Sequence, residues 1–250
     1  QSCGTCRECR AENFIGCAER TEMGVLKRNG AYADFVVAPS RFVHKIPSKM
    51  DLRSATLCEP LAVILKGLRR IGLSIAKNDS MSRRCAVLGS GPLGHMCSLV
   101  LNHFGHDVTA FDRNPMRRAL FDGSTINTTD DLSELKQFNL IVEITGDPEV
   151  LGRALHESPA NATLLLLGLP YGERPFSFEA VAAFDKTVTG SVGSTKEDFK
   201  AALSLLPLLN LEPYFQCPMA LEDFETAWEK SKNGDVLKVI FDMSLEGLSS

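Results

Sequence analysis

Cys85-Ala86-Val87-Leu88-Gly89-Ser90-Gly91-Pro92-Leu93-Gly94 is the stretch that decides the fold. Its four leading apolar residues read as a short buried strand, and Gly89, Gly91 and Gly94 form a G-x-G-x-x-G turn. Residues 93–104 then carry a helix stopped at Gly105, and 108–111 form a second apolar strand that ends at Asp112. Each part answers a need of a bound dinucleotide. The first glycine makes the turn, the second lets backbone N–H groups approach a pyrophosphate, and the third lets helix and strand pack. The helix N-terminus faces the phosphate charge. Asp112, 23 residues beyond Gly89, is placed to accept hydrogen bonds from a ribose 2′-hydroxyl.

Downstream, 140–144, 163–167 and 187–192 read as strands, and 148–155 and 196–206 as helices. This alternation predicts an α/β protein with a doubly wound parallel sheet. The strand ends carry Thr145-Gly146, Gly168-Leu169-Pro170 and a small-residue run with Gly193. Ligands of open α/β sheets sit beyond such ends, so Thr145, Gly168, Leu169 and Gly193 join Gly89, Gly91, Pro92, Leu93, Gly94, Asp112 and Arg113 as candidate cofactor contacts. Tight turns alone account for the same glycines. The tail places Phe224, Ala227 and Trp228 on a helix stopped by Asn233-Gly234, then a strand over 237–241 that is expected to rejoin the N-terminal lobe.

Upstream, 76–84 is polar and aperiodic and reads as a loop. From Asp51 to Gly72, Leu57, Leu61, Ile64, Leu65 and Leu68 mark one helical stripe. Residues 31–38 and 42–46 alternate, with β-branched and aromatic residues and with Pro39 and Pro47 at their ends, and predict two strands of a β-rich lobe. Cys3, Cys6, Cys9 and Cys17 open the chain with C-x2-C-x2-C-x7-C spacing. In a reducing setting four such thiolates close a tetrahedron around Zn2+, and a shell without an open position predicts a structural ion; a disulfide knot is the competing reading.

The chain has 250 residues, 27 Lys and Arg against 31 Asp and Glu, and a formal net charge of −4. That balance lacks the basic face of a nucleic-acid binder. The longest apolar run, 162–169, is far short of the ~20 residues of a membrane span. No apolar leader opens the sequence, so a cytoplasmic setting is expected, and the start at Gln1 suggests a longer natural protein.

Taken in order, the cysteine lobe, Gly30-Ala31-Tyr32, Glu59-Pro60-Leu61-Ala62, the glycine turn with Asp112 and the ending 234–240 make the chain resemble the medium-chain dehydrogenase/reductase family, the zinc-dependent alcohol and polyol dehydrogenases. The resemblance implies a partial GroES-like catalytic domain over 1–66, a Rossmann domain over 67–211 and a return segment over 212–250. It implies that the four cysteines hold a structural zinc and that Glu59 serves at a catalytic zinc of the intact protein. Cys58 competes for that role, but the Pro-Leu that follows aligns the ligand position with Glu59. An acid in a first helical turn is also what the helix dipole favours.

Two departures from the family pattern stand out. Glu12 occupies a position the family usually gives to glycine, so the lobe's turn is expected to differ. The family's N-terminal cysteine, His-Glu pair and relay hydroxyl have no counterpart in this sequence, and His44, His95, His103, His106 and His156 are too scattered to substitute. The implied activity is hydride transfer between a secondary alcohol, polyol or sugar and NAD, preferred over NADP because Asp112 would repel a 2′-phosphate, although Arg113 and Arg117 follow it. An inactive dinucleotide-binding protein is the alternative, and a zinc-ribbon interaction module is disfavoured because Arg7, Arg10, Glu8 and Glu12 nearly cancel. The resemblance also implies a homo-oligomer, dimer or tetramer, joined at the edge near 187–192.

Overall fold

In the computed structural model, which describes residues 1–73, 82–172 and 176–244, the strand before the glycine turn is β1 (Arg84–Leu88). Its apolar residues face both ways. Cys85 and Val87 join Val108, Ala110, Val142 and Leu165 in one core, whereas Ala86 and Leu88 join Phe111, Ile141 and Leu164 in another. A strand buried on both faces belongs to a parallel sheet with helices on each side, and this one has six strands. After β1 come β2 (Asp107–Phe111), β3 (Asn127–Thr129), β4 (Leu140–Glu143), β5 (Thr163–Leu166) and β6 (Thr187–Gly190). All pair in parallel, in the order β3-β2-β1-β4-β5-β6. The chain reverses direction across the sheet between β1 and β4, the switch point at which this architecture binds ligands.

Three helices cover the first face: α1 (Cys58–Arg70), α2 (Pro92–His103) and α4 (Lys196–Leu205). Leu61, Ile64, Leu65 and Leu68 form the buried stripe of α1, and Met96, Cys97, Val100 and Leu101 that of α2. The second face receives Ala154 and Leu155 of α3 (Pro148–Glu157) together with Leu135 and Phe138. Arg69 of α1 forks onto Asp198 at 3.0–3.2 Å, and Asp198 also completes a capping box with Thr195 at the start of α4. The last helix, α5 (Phe224–Asn233), ends at Gly234 with φ +75°.

By Cα packing the chain divides into two units. Ile46–Pro218 and Glu225–Ile240 form the larger, sheet-bearing unit; Gln1–Lys45, Met219–Phe224 and the tail from Phe241 form the smaller. Residues 46–66, grouped by the family resemblance with the N-terminal domain, thus pack with the sheet, because the stripe of α1 is part of its core. The tail divides likewise, part returning to the smaller unit and part staying with the larger.

Several sequence expectations are corrected. Residues 31–38 and 42–46 form no strands: a strand exists only where a neighbour pairs its backbone, and none does so here among the described residues. Phe35 and Val37 of this stretch are 91% and 85% exposed. The helix expected from 51 to 72 is broken. Leu52–Ala55 is a separate turn, the Thr56 hydroxyl bonds the Arg53 carbonyl at 2.6 Å, and α1 begins only at Cys58. The strand expected over 237–241 shrinks to Ile240–Phe241, paired with Pro218–Met219. Most of the loop expected over 76–84 lies outside the described residues. Among the described residues, no helix is long and apolar enough to cross a membrane.

Candidate functional site

A groove of about 660 Å³ opens at the C-terminal ends of β1, β2 and β4. Gly89, Gly91, Pro92, Leu93 and Gly94 line one wall, Asp112 and Arg113 the next, and Ile144 and Thr145 the third. Eight of the predicted cofactor contacts are thereby brought together. The glycines are forced by space as well as by φ. A Cβ on Gly94 would lie 1.7 Å from the Gly89 carbonyl oxygen, so only a glycine lets α2 pack against the turn. Gly89 itself has φ +94°. No side chain caps the N-terminus of α2, whose N-cap is Gly91, so its positive end is left to whatever enters the groove.

Asp112 directly follows β2, with its side chain only 7% exposed. Its carboxylate accepts the Ser90 amide at 2.7 Å and the Asn114 amide at 2.8 Å, which locks it to the glycine turn. Arg117 stands 3.9 Å from the same carboxylate, and Arg118 bonds the Asp112 carbonyl at 2.6 Å. Arg117, Asp130, Asp147, Glu149 and Arg153 also line the groove, so its rim carries both signs of charge. Of these, only Arg117 drew notice in the sequence; the others sit on loops and helices that no local pattern ties to the glycine turn.

Gly168 and Leu169 do not line the groove but close against the turn that does. A Cβ on Gly168 would stand 2.3 Å from the Gly146 amide nitrogen, and one on Gly146 would stand 3.1 Å from the Leu169 nitrogen. Gly193, with φ +67°, follows β6 and is not among the lining residues. Sequence reading missed Glu143. Its signal was an acid inside an otherwise apolar strand, and it lies buried at the end of β4 beneath Thr145 and Gly146. His95, on α2, is likewise buried. Its Nδ1 lies 3.0 Å from the Tyr214 hydroxyl, which donates to the Pro92 carbonyl at 2.8 Å and so braces the first turn of α2.

The smaller unit carries the four cysteines. Their sulfurs lie within 4.8 Å of one another, and those of Cys3 and Cys9 are 3.8 Å apart. A tetrahedral zinc with Zn–S bonds of about 2.3 Å requires sulfur–sulfur edges of about 3.8 Å, so the cluster fits the ion. Backbone amides already point at the sulfurs: Thr5 and Cys6 bond Cys3 Sγ at 3.4 Å, and Cys9 bonds Cys6 Sγ at 3.4 Å. The Thr5 amide and hydroxyl and the Cys6 amide pull the Cys3 thiol down to about 6, whereas Cys6, despite the Cys9 amide, is pushed up to about 11 by hydrogen bonds with the other thiols and by burial, so without a metal the cluster shares its charge unevenly. Glu12, where the sequence lacks the expected glycine, takes φ +58°, so the turn keeps a glycine-like conformation on a residue that pays for it in strain.

Glu59 lies exposed in the first turn of α1. Cys58 points the other way, buried, with its sulfur 3.6 Å from the Phe199 carbonyl, and burial raises its thiol to about 11. Among the described residues, the four cysteines are the one group of three or more metal-ligand side chains drawn together.

Comparison with known proteins agrees with this geometry. The family described as glucose dehydrogenase C-terminus matches residues 52–243. An L-threonine 3-dehydrogenase of Bacillus velezensis is 28% identical over 95% of this chain and 72% of its own length. The solved L-idonate 5-dehydrogenase of Escherichia coli superimposes with a TM-score of 0.83 at 19% identity, covering 96% of this chain and 72% of that one. A zinc-binding dehydrogenase of Sinorhizobium meliloti, solved with NADP, does so with a TM-score of 0.78 at 24% identity, over 93% and 70%.

Proposed function

We propose a function from the premise that this chain belongs to the zinc-dependent medium-chain dehydrogenase/reductase family, through its glucose dehydrogenase C-terminus. The proposal is an oxidoreductase that moves a hydride between a secondary alcohol, polyol or sugar and a nicotinamide dinucleotide, NAD in preference to NADP. The observation that carries it is the groove in which the uncapped N-terminus of α2 and the Gly89–Gly94 turn face the buried, amide-held carboxylate of Asp112.

In this reading the first turn of α2 binds the pyrophosphate, and Gly91 leaves its backbone open to close approach. Asp112 accepts the adenosine ribose hydroxyls. Its charge supports NAD, since a 2′-phosphate would meet a carboxylate too well held by Ser90 and Asn114 to swing away. Arg113 and Arg117 at the same rim are the groups a 2′-phosphate would use, and the Sinorhizobium meliloti relative was solved with NADP. A bound nicotinamide would supply the hydride donor or acceptor, and a catalytic zinc held in part by Glu59 would supply Lewis acidity at the substrate oxygen. Cys3, Cys6, Cys9 and Cys17 hold a structural zinc, and Glu59 contributes one ligand to the catalytic ion. We extend the proposal to a cytoplasmic homo-oligomer joined at the edge strand β6.

NADH and NADPH titrations test the cofactor assignment: tighter NADH binding is expected, and the reverse order refutes it. Zinc analysis tests the rest. Two ions per chain in the complete reading frame support a catalytic centre at Glu59. One ion favours a second reading, an inactive dinucleotide-binding protein, which draws on the cysteines being the one ligand cluster among the described residues.

A further inference from the structure

The carboxylate of Glu143 has no part in the function proposed above, yet it is 1% exposed and stands at the C-terminal end of β4. Its Oε1 accepts the amide of Thr145 at 2.6 Å, the amide of Gly146 at 3.0 Å and the Thr145 hydroxyl. Its carbonyl accepts the amides of Leu167 and Gly168 at 2.9 and 3.0 Å. Thr145 Oγ1 in turn accepts the Asp147 amide at 2.9 Å. With its hydroxyl so engaged, Thr145 turns its methyl toward Gly89, where a Cβ would lie 2.9 Å from Cγ2. On the far side a Cβ on Gly168 would lie 2.6 Å from Glu143 Oε2. Glu143 thus holds the Thr145–Gly146 turn through its side chain and the Gly168 turn through its backbone carbonyl, and the turns at Gly89 and Thr145 line the groove.

We propose that Glu143 is a positioning residue of the dinucleotide site, fixing the Thr145–Gly146 turn so that the wall beside Gly89 presents a methyl group and not a hydroxyl. This rests on the dinucleotide reading of the groove. Glu143 does not line the groove and acts through Thr145. Burial pushes its pKa up, the Thr145 and Gly146 donors pull it down, and the net direction is upward; Asp147, at the N-cap of α3, is the charged neighbour that adds to the rise. Leu88 and Leu166, its partners in register on β1 and β5, and Gly89 and Gly168 carry no charge. A carboxyl raised in the fold contributes stability at low pH and loses it as pH rises through the folded value. Once ionised, the charge therefore works against folding while it holds the turn, so stability and binding respond in opposite senses to its removal.

The experiment compares the full chain with Glu143→Gln by calorimetric titration of NAD+ from pH 8 downward in steps, with melting curves alongside. The glutamine loses the charge that strengthens three hydrogen bonds, so NAD+ affinity at pH 8 should fall ~10-fold, while the melting temperature does not drop. As pH is lowered the affinity gap should narrow, because protonation makes the unsubstituted residue resemble the amide. Equal affinities at pH 8 overturn the proposal. So does a gap that is unchanged across the pH series and runs parallel to lost stability, which would mark a merely structural role. Thr145→Ser keeps every hydrogen bond and deletes the methyl. It should bind NAD+ ~3-fold more weakly, and unchanged binding there also overturns the proposal. If the unsubstituted chain does not bind NAD+, the dinucleotide reading itself fails and takes this inference with it.

Discussion

Gly94→Ala is the sharpest test of how the groove is built. The added Cβ would sit 1.7 Å from the Gly89 carbonyl oxygen and 2.8 Å from its carbon, both backbone atoms. To restore a contact of ~3.0 Å, α2 or the glycine turn must retreat by about 1.3 Å, and neither is free to do so. The Ser90 amide is tied to Asp112, and the first turn of α2 is braced by Tyr214. Overpacking against rigid backbone costs about 3 kcal/mol, which for a unit of this size lowers the melting temperature by ~6–12 °C. NADH affinity should fall with it, because the turn that receives the pyrophosphate is what moves. Gly91→Ala is the control. Its nearest neighbour would be Arg117 Nη1 at 3.8 Å, an ordinary contact, so stability should change by less than ~0.5 kcal/mol. NADH binding should still weaken, since this Cβ points into the groove. Urea denaturation and fluorescence titration on both variants read the two effects separately. If Gly94→Ala unfolds at the same midpoint as the unsubstituted protein, the close-packing argument is wrong.

Further outcomes follow from individual residues. Asp112→Ser removes the acceptor for the Ser90 and Asn114 amides and the charge facing the ribose, so the NADH-to-NADPH affinity ratio should fall ~10-fold; an unchanged ratio would show that Asp112 does not discriminate. Burial lowers the His95 pKa from 6.5 to about 4, so the fold holds it neutral at pH 7. Because that folded value is depressed, stability should be lost as pH falls from 6.5 toward 4, by roughly 3 kcal/mol, and His95→Gln should flatten this part of the pH–stability curve. Glu12→Gly relieves the φ +58° conformation in the cysteine lobe and should stabilise the smaller unit by about 1 kcal/mol, seen as slower zinc release to a chelator.

The larger unit was legible because its signals are local. The glycine turn, the apolar strands and the stripe of α1 each lie within one short window, and the shortness of the apolar run of β1, closed at once by Gly89, separates strand from helix without help from the rest of the chain. The cysteine spacing announced a metal cluster for the same reason, since its four ligands fall within 17 residues. Where pairing partners matter, local pattern failed: 31–38 has the alternation of a strand and no neighbour to bond it, and β3, three polar residues long, is a strand because β2 lies beside it.

The sequence by itself determined the strand–turn–helix unit, the parallel alternation and the identity of Asp112 as the acid beyond β2, since each is a property of contiguous residues and their periodicity. Only the tertiary structure decided that Asp112 is pinned by the Ser90 amide, that Gly168 closes on Gly146, that Tyr214 braces α2 from more than a hundred residues away, and that Glu143 lies beneath the turn at Thr145. These are contacts between strand ends that the sheet order sets side by side, and the order β3-β2-β1-β4-β5-β6 is a property of how the whole chain packs, which no single segment encodes.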